Sequence, residues 1–380
     1  MRMFSRFATN DLALALRSLR RTPGFTFIAI VTLALGIGAN TSMFSLLNGY
    51  FLTPAPYPDS DRLDRLYRAT PRDARGGFSP ADWLDLRTQH AAYGDIAAYA
   101  GAEMSISDPR RPAEVAEGLR VSANLFSVLG TAPSIGRGFR SNEEIHGNHR
   151  VLVLSHRYWQ NRFGGDPAVI GSAVRVDGET HEIVGILPPG FSDWRHLSWV
   201  DVYRPLGLSE KETTDRGSAW LRLVGRRAPD VSLAQAEALV AELGRRLATE
   251  HPIENAETTW RVVPIDETWV AAETRPVFLM LVGLSGFVLL IACSNLANLL
   301  LARTLARARE FAVRSALGAS RARLVRPLAI ESFLLALGGG ACALIVAVWT
   351  FDWMRVASAG DSGVGVELRI DWRILTWAFL

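Results

Sequence analysis

Three long apolar segments constrain the fold of this chain more than any other feature of its sequence. They run from about Phe25 to Leu47, from about Pro276 to Leu301 and from about Leu328 to Trp349. Each supplies the roughly 20 mainly apolar residues that a helix needs to cross a hydrocarbon core about 30 Å thick. The sequence therefore predicts three transmembrane helices, at residues 25–47, 276–301 and 328–349.

A further apolar run closes the sequence at residues 370–380. It is too short to cross a bilayer, so we expect it to be the start of a truncated fourth span. A cleaved signal peptide is the alternative interpretation of the first apolar segment. That segment is longer than the 7–15 residues of a typical signal core, and more than a dozen residues precede it, so a retained span is favoured.

Arginines are concentrated on either side of these segments and predict their orientation. The two clusters are Arg2, Arg6, Arg17, Arg20 and Arg21, and Arg303, Arg307, Arg309, Arg314, Arg321, Arg323 and Arg326. Because basic loops stay in the cytoplasm, we expect residues 1–24 to form an amphipathic segment on the cytoplasmic surface and residues 302–327 to form a cytoplasmic loop. The net charge of +3 follows from these clusters, so no nucleic-acid partner is predicted.

The long segment at residues 53–275 must then lie outside the cytoplasm. It contains neither of the two cysteines, so it has to fold without disulfides. Asp177-Gly178 predicts a tight hairpin turn, and Ser232 with Gln235 predicts a capping box before a helix. Strand patterns flank that helix, which indicates a β-α-β unit. The predicted fold class is therefore an α+β extracytoplasmic domain inserted between transmembrane α-helices, with three full spans and the start of a fourth.

A membrane-anchored hydrolase is the alternative from another functional class. His146, His149 and His156 lie close in sequence, but no cysteine or carboxylate at matching spacing supports a metal site. A P-loop requires a lysine after a glycine-rich turn, and the only lysine is Lys211 in an acidic stretch. We therefore expect no catalytic residues, no bound metal and no cofactor, and any ATPase on a partner subunit.

Small and amide side chains on the predicted spans indicate close helix packing. Without a hydrophobic drive between helices in lipid, such residues allow close approach or hydrogen bonding across helices. Ordinary packing is favoured over a transport pathway. The predicted packing residues are Ala34, Gly38, Ser42, Asn295, Asn298, Gly338 and Gly339.

The loop between the second and third spans is predicted to be a helical lever. Glu310 and Arg314 can pair across one helical turn, and Phe311 is the lone aromatic residue among charges. From the residues alone, a lever pushed by a partner and a surface helix that only ties two spans together are equally supported.

Motifs along the whole chain resemble those of MacB/FtsX-type ABC transporter permeases, most of all the duplicated orphan permeases (ADOP). The matching segments are Arg20–Thr26, Leu33–Thr41, Val121–Gly130, Arg162–Pro167, Ile186–Phe191, Asn295–Arg303 and Arg309–Arg321. The resemblance implies a MacB-like core domain at 53–275 and a coupling helix at 302–327. Its ATPase-coupling residues would be Arg307, Glu310, Phe311 and Arg314.

The resemblance also implies a mechanism and a set of partners. A separate ABC ATPase subunit would dock on the coupling helix, and ATP hydrolysis would move the external domain to expel or release a substrate already outside. Further partners would be a second permease half or an identical copy, the lipid bilayer, and an outer-membrane or adaptor component. The expected location is the cell inner membrane, with a cytoplasmic N-terminus.

Three departures from the family keep other functions open. Related permeases have a complete fourth span, the ADOP type repeats the whole unit, and MacB carries a fused ATPase domain. The alternatives are a membrane sensor or signalling permease without efflux, and an inactive truncated fragment.

Overall fold

The computed structural model divides the chain into two compact units. The helical unit comprises Met1–Thr53 and Ala272–Leu380, and the inserted unit comprises Pro54–Ala271. The structure describes residues 15–47, 54–89, 92–108, 111–191, 197, 200–255, 257–268, 274–317 and 321–358. The first 14 residues of the predicted surface segment and the predicted fourth span lie outside the described residues.

The helices of the described residues differ widely in length. In chain order they are α1 (residues 15–21), α2 (Pro23–Leu47), α3 (Pro80–Thr88), α4 (Leu125–Val128), α5 (His156–Phe163), α6 (Glu210–Thr214), α7 (Leu233–Glu250), α8 (Pro252–Asn255), α9 (Thr274–Ala306), α10 (Ala308–Ala316) and α11 (Arg321–Ser358). Single turns of 3₁₀ helix lie at Ser60–Arg62, Ser141–Glu144, Pro167–Val169 and Ile265–Glu267. Three helices, α2, α9 and α11, are long and apolar enough to cross a membrane.

All the strands found in the described residues belong to one ten-stranded sheet in the inserted unit. They are β1 (Leu63–Ala69), β2 (Tyr93–Asp108), β3 (Arg111–Val121), β4 (Ile135–Gly136), β5 (Val151–Leu154), β6 (Ala173–Val176), β7 (Glu179–Ile186), β8 (Val202–Pro205), β9 (Arg222–Arg227) and β10 (Thr259–Pro264). Their spatial order is β10-β1-β9-β2-β3-β8-β5-β7-β4, and β6 pairs with β2 and β7. The β3–β8 and β5–β7 pairs are parallel and the others antiparallel.

Local signals explain several of these elements. Asp177 and Gly178 both have positive φ, as a two-residue type I′ turn requires, and they join β6 to β7. Ser232 and Gln235 form the predicted capping box at the start of α7. The β-α-β unit differs from the simplest form, because β1 lies between β9 and β10 and is antiparallel to both. It is therefore a split β-α-β unit.

The sheet buries apolar side chains on both faces. Successive residues of a strand point to opposite faces, and on β1 Leu63 and Leu66 accordingly belong to different core clusters. Helices α3 and α7 cover the Leu66 face with Trp83, Ala236 and other apolar side chains. The other face packs against α4, and a third cluster forms around α5. The predicted α+β class with apolar helices at both ends of the chain is confirmed.

The two ends of the inserted unit are held together. Strands β1 and β10 are neighbours at one edge of the sheet, with Asp64 opposite Pro264. Just beyond β10, the Asp266 carboxylate accepts hydrogen bonds from the Ala55 backbone N–H at 2.7 Å and from the Ser60 hydroxyl at 3.3 Å. The first and last segments of the unit therefore share one anchor.

Candidate functional site at the connection between α9 and α11

The chain between the second and third apolar helices is not one continuous helix. Helix α9 continues to Ala306, Arg307 leaves helical geometry at φ −100° and ψ 9°, and α10 follows. The Arg307 N–H donates to the Thr304 carbonyl at 3.1 Å, a tighter turn than an α-helix has. Residues 321–327 already belong to α11, with Pro327 inside it. The coupling segment expected at 302–327 therefore comprises the end of α9, a break, α10 and the start of α11.

The four predicted coupling residues lie at this break and just after it. Arg307 is the break itself. Glu310, Phe311 and Arg314 lie on α10, and their side chains are outside the described part of the structure. The neighbouring Val313 and Leu317 are exposed, so α10 carries apolar surface that the described helices do not cover.

One carboxylate on α11 forms ion pairs with two arginines at the break. Glu331 is buried, with its Oε2 3.3 Å from Nη1 of Arg303 and its Oε1 3.2 Å from Nη1 of Arg307. Arg303 lies in the last turn of α9, one helical turn before Arg307. The ion pairs therefore connect α11 to the last turn of α9 and to the break that follows it.

The same two guanidinium groups also contact the N-terminal part of the helical unit. Nη2 of Arg303 donates to the Ser18 hydroxyl at 2.9 Å, and Nη2 of Arg307 donates to the same oxygen. The Arg303 guanidinium lies 4.4 Å from the centre of the Phe25 ring, a cation–π distance. Side chains from α1, α2, α9 and α11 thus meet in one cluster, the Glu331 cluster: Ser18, Phe25, Arg303, Arg307 and Glu331.

The sequence prediction assigned no site role to Glu331, Ser18 or Phe25, and it used Arg303 only as a member of the basic cluster that predicts orientation. A signal was present, because Glu331 falls inside the third apolar segment, where an acid needs a partner. Which arginine would supply that partner depends on how the helices pack, and the chain separates Glu331 from Arg303 by 28 positions.

Glycines on both sides of α2 allow it to pack against α9 and α11. A Cβ added at Gly36 would lie 2.7 Å from Cβ of Ala292 on α9, and one at Gly38 would lie 3.4 Å from the Ala343 carbonyl oxygen on α11. Two residues correspond to about 200° around a helix, so the two contacts lie on opposite sides of α2.

The other predicted packing residues divide into two groups. Ala34 is buried and Ser42 partly buried on α2, and a Cβ at Gly338 or Gly339 would meet Ile30 or Leu33 at 3.4 or 2.5 Å. Asn295 and Asn298 are instead exposed on α9. The inward side of α9 carries Ser285, which donates to the Asn40 side chain at 3.0 Å, and the buried Ala292. Because these two residues face the other helices, the two amides face outward.

The inserted unit contains charged groups whose arrangement is structural. Asp64 on β1 is fully buried and lies 2.7 Å from Nε of Arg227 and 3.2 Å from the Tyr93 hydroxyl. Burial raises the pKa of the Asp64 carboxyl to about 6, although Arg227 and Tyr93 act in the opposite direction. Asp82, also fully buried, pairs with Arg216 at 2.6 Å and accepts from Asn255 at 3.2 Å. Both acids lie at contacts between elements of the core.

The histidines weighed as a metal site do not converge. His146 and His149 stack with ring centres 5.1 Å apart, while His156 packs edge-on against Trp159. Burial, and next the neighbouring His146, lowers the pKa of His149. Among the described residues no three metal-binding side chains lie close enough to hold an ion. Ser155 accepts the Tyr158 N–H at 3.2 Å and so caps α5.

Comparison with known proteins shows that two domain families match this chain. The MacB-like periplasmic core domain matches residues 26–243, more than half of the chain, and the FtsX-like permease C-terminal domain matches residues 282–380. The macrolide export ATP-binding/permease proteins MacB of Escherichia coli (strain K12) and of Shigella flexneri are each 25% identical over 229 residues. These 229 residues are 60% of this chain and 34% of each relative, so the match spans about a third of the curated relatives' length.

Two solved structures show low similarity to part of the chain. The periplasmic region of MacB from Actinobacillus actinomycetemcomitans is 16% identical with a TM-score of 0.42, and covers 55% of this chain and 90% of its own. The extracellular domain of the ABC-type transporter YknZ from Gram-positive bacteria is 16% identical with a TM-score of 0.40. The match covers 53% of this chain and 99% of that domain. With a MacB-like core domain over more than half of its length and an FtsX-like domain after it, this chain belongs to the MacB/FtsX-type permease family.

Proposed function

We propose that this chain is the membrane subunit of an ABC transporter in which a separate ATPase moves the inserted unit to expel or release a substrate. The ATPase would bind at α10 in the cytoplasm, and the inserted unit would lie outside the inner membrane. The substrate would already be outside when the movement acts on it.

The connection between α9 and α11 carries this proposal. Both helices contain long apolar stretches, Pro276–Ala306 and Val325–Thr350, and α10 lies between them with exposed apolar residues. Arginines surround this connection and also precede α2, which favours a cytoplasmic location for both. A protein that bound α10 could therefore push directly on the ends of two membrane helices.

The expectation of a separate ATPase rests on the chemistry of nucleotide binding. Lys211, the only lysine of the chain, lies on the five-residue helix α6 in the inserted unit. A P-loop needs a lysine at the start of a helix that follows a glycine-rich loop. The curated relatives named above are ATP-binding/permease proteins, and ATP binding in the same assembly is therefore a proposal for this chain.

The outward side of α9 supports a partner within the membrane. Asn295 and Asn298 are exposed there, and no atom of the described residues lies within 4 Å of a Cβ added at Gly283 or Gly286. Exposed amides in a span gain from hydrogen bonding to another helix, and glycines permit its close approach. A second permease half or a second copy would meet both requirements. A further proposed partner is an adaptor or outer-membrane component that binds the inserted unit.

The test is a mild-detergent pull-down of the tagged full chain from its native membranes, with mass spectrometry for a P-loop ATPase. The wild type should recover the ATPase, and Phe311→Asp should lose it because a charge replaces the aromatic residue of α10. Ile253→Asp is the matched control, since Ile253 is 92% exposed on α8 of the inserted unit.

Two results would count against the proposal. One is a wild-type chain that recovers no ATPase; the other is a Phe311→Asp variant that recovers as much as the control. Substrate release by intact cells then separates transport from sensing, because a signalling permease would bind and stimulate the ATPase without efflux.

A further inference from the structure

We propose that Glu331 is a positioning residue that fixes the break at Arg307 to α1 and α11, so that the start of α10 moves with these helices instead of pivoting on the end of α9. The consequence of this role, that a force applied to α10 by a bound partner is transmitted to the spans, rests on the proposed function. The contact geometry on which the role stands is independent of that function.

A chain that leaves helical geometry between two helices is ordinarily a place where they can change their angle. At Arg307 the break has one residue, and its backbone makes a single tight turn. Free rotation there would let α10 swing while α9 stayed still. A partner bound to α10 would then move α10 alone.

The carboxylate of Glu331 opposes that rotation because both of its oxygens are engaged. One oxygen pairs with Arg303, before the break, and the other pairs with Arg307, at the break. The side chains of Glu331 and Arg303 are 5% and 9% exposed, so water competes little for this pair, whereas the Arg307 side chain is 29% exposed. Moving Arg307 relative to α9 would separate it from a carboxylate that Arg303 holds in place.

Ser18 closes the arrangement from the opposite side. Its hydroxyl accepts from both guanidinium groups, so Glu331, Arg303, Ser18 and Arg307 form a closed ring of four side chains. Ser18 lies on α1, which is tied to α2 by the Thr26 hydroxyl donating to the Leu19 carbonyl at 2.8 Å. A pivot at Arg307 would have to break contacts to α11 and to α1 together.

The charges show which member of the ring matters most. Two guanidinium groups share one carboxylate, so removing Arg303 leaves Arg307 paired with Glu331. Removing the charge of Glu331 leaves Arg303 and Arg307, 9% and 29% exposed, without an acidic partner among the described side chains, which is the costlier change. Glu331→Gln keeps the size of the side chain and removes only this charge.

The first experiment measures coupling in the full chain, reconstituted in nanodiscs with the ATPase that the wild type recovers. Glu331→Gln should bind the ATPase with unchanged affinity, while the stimulation of ATP hydrolysis by the chain falls about tenfold, within the usual range of coupling between distant sites. The stimulation of ATP hydrolysis should fall less in Arg303→Gln than in Arg307→Gln. A Glu331→Gln variant that folds, binds and stimulates like the wild type overturns the proposal.

The second experiment keeps the cluster intact. Spin labels replace Leu16 on α1 and Ala308 at the start of α10, both exposed, in a full chain whose Cys293 and Cys342 are changed to serine. The distance between the labels should be narrowly distributed, and the same with and without a non-hydrolysable ATP analogue and the ATPase. A label pair on Val277 and Leu290, within α9, gives the width expected of a rigid helix.

The outcomes separate this proposal from the proposed function. A broad distribution in the chain alone, or a shift when nucleotide binds, shows that the break pivots and overturns the positioning role. A narrow distribution in a chain that never recovers an ATPase supports the role and refutes the function. Broadening in Glu331→Gln, with the α9 pair unchanged, assigns the rigidity to this carboxylate.

Discussion

Replacing Gly339 by alanine should destabilise the helical unit through one contact. A Cβ at Gly339 of α11 would lie 2.5 Å from Cβ of Leu33 on α2, and both carbons are attached directly to backbone. Gly338, the preceding residue, offers a matched control. Its added Cβ would lie 3.4 Å from Cδ1 of Ile30, the far end of a flexible side chain.

The magnitude follows from comparing the two variants. Non-bonded carbons are most favourably about 3.5–4.0 Å apart, so α2 and α11 would have to separate by about 1 Å around Gly339. Such overpacking costs about 1–3 kcal/mol. Alanine gains about 1 kcal/mol over glycine in a helix, but this gain is common to both variants and cancels. Gly339→Ala should therefore be less stable than Gly338→Ala by about 1–3 kcal/mol.

The assay is unfolding of the purified full chain by sodium dodecyl sulfate in mixed micelles, followed by tryptophan fluorescence. Gly339→Ala should unfold at a lower detergent fraction than the wild type, and Gly338→Ala at the same fraction or a higher one. Equal midpoints for the two variants would refute the reasoning, because they would mean that Leu33 and Gly339 are not in close contact.

Two further predictions concern ionisation and association. Because the folded-state pKa of Asp64 is raised to about 6, the folded inserted unit holds a proton that the unfolded chain releases near pH 4; the contribution of Asp64 to the free energy of unfolding should fall as pH rises from about 4 to 6, by at most about 1.4 kcal/mol per unit. Urea unfolding of the full chain and of Asp64→Asn across this range checks it: the stability of the wild type relative to the variant should fall as pH rises. Asn298→Leu should leave the detergent midpoint of the chain unchanged but weaken cross-linking to the second permease half; unchanged cross-linking would exclude the exposed side of α9 as the interface.

Local chemistry made much of the fold predictable from sequence. The Asp177-Gly178 turn, the Ser232 cap and the three apolar segments each depend on residues within one turn, one helix end or one span. The interactions that form them lie within a short stretch of chain, so the local sequence is enough to predict them.

What the sequence did not reveal depends on contacts between distant residues. The insertion of β1 between β9 and β10 pairs residues more than 150 positions apart. The hydrophobic periodicity of a strand does not indicate which distant strands it pairs with. The exposed position of Asn295 and Asn298 follows from which side of α9 faces α2. The break at Arg307 stands in a stretch of good helix formers, and its partner Glu331 is known only once the helices are packed.

The shared edge of β1 and β10 determines how the inserted unit responds to mechanical load. The chain enters β1 at Leu63 and leaves β10 at Pro264, and the antiparallel register places both points at the same end of the strand pair. Tension that drew these points apart would open the ladder one hydrogen bond at a time, as a zipper opens, after first straining the contacts of Asp266. A displacement common to both points would not load the ladder at all. This sheet is suited to being carried by its two connections and poorly suited to being stretched between them.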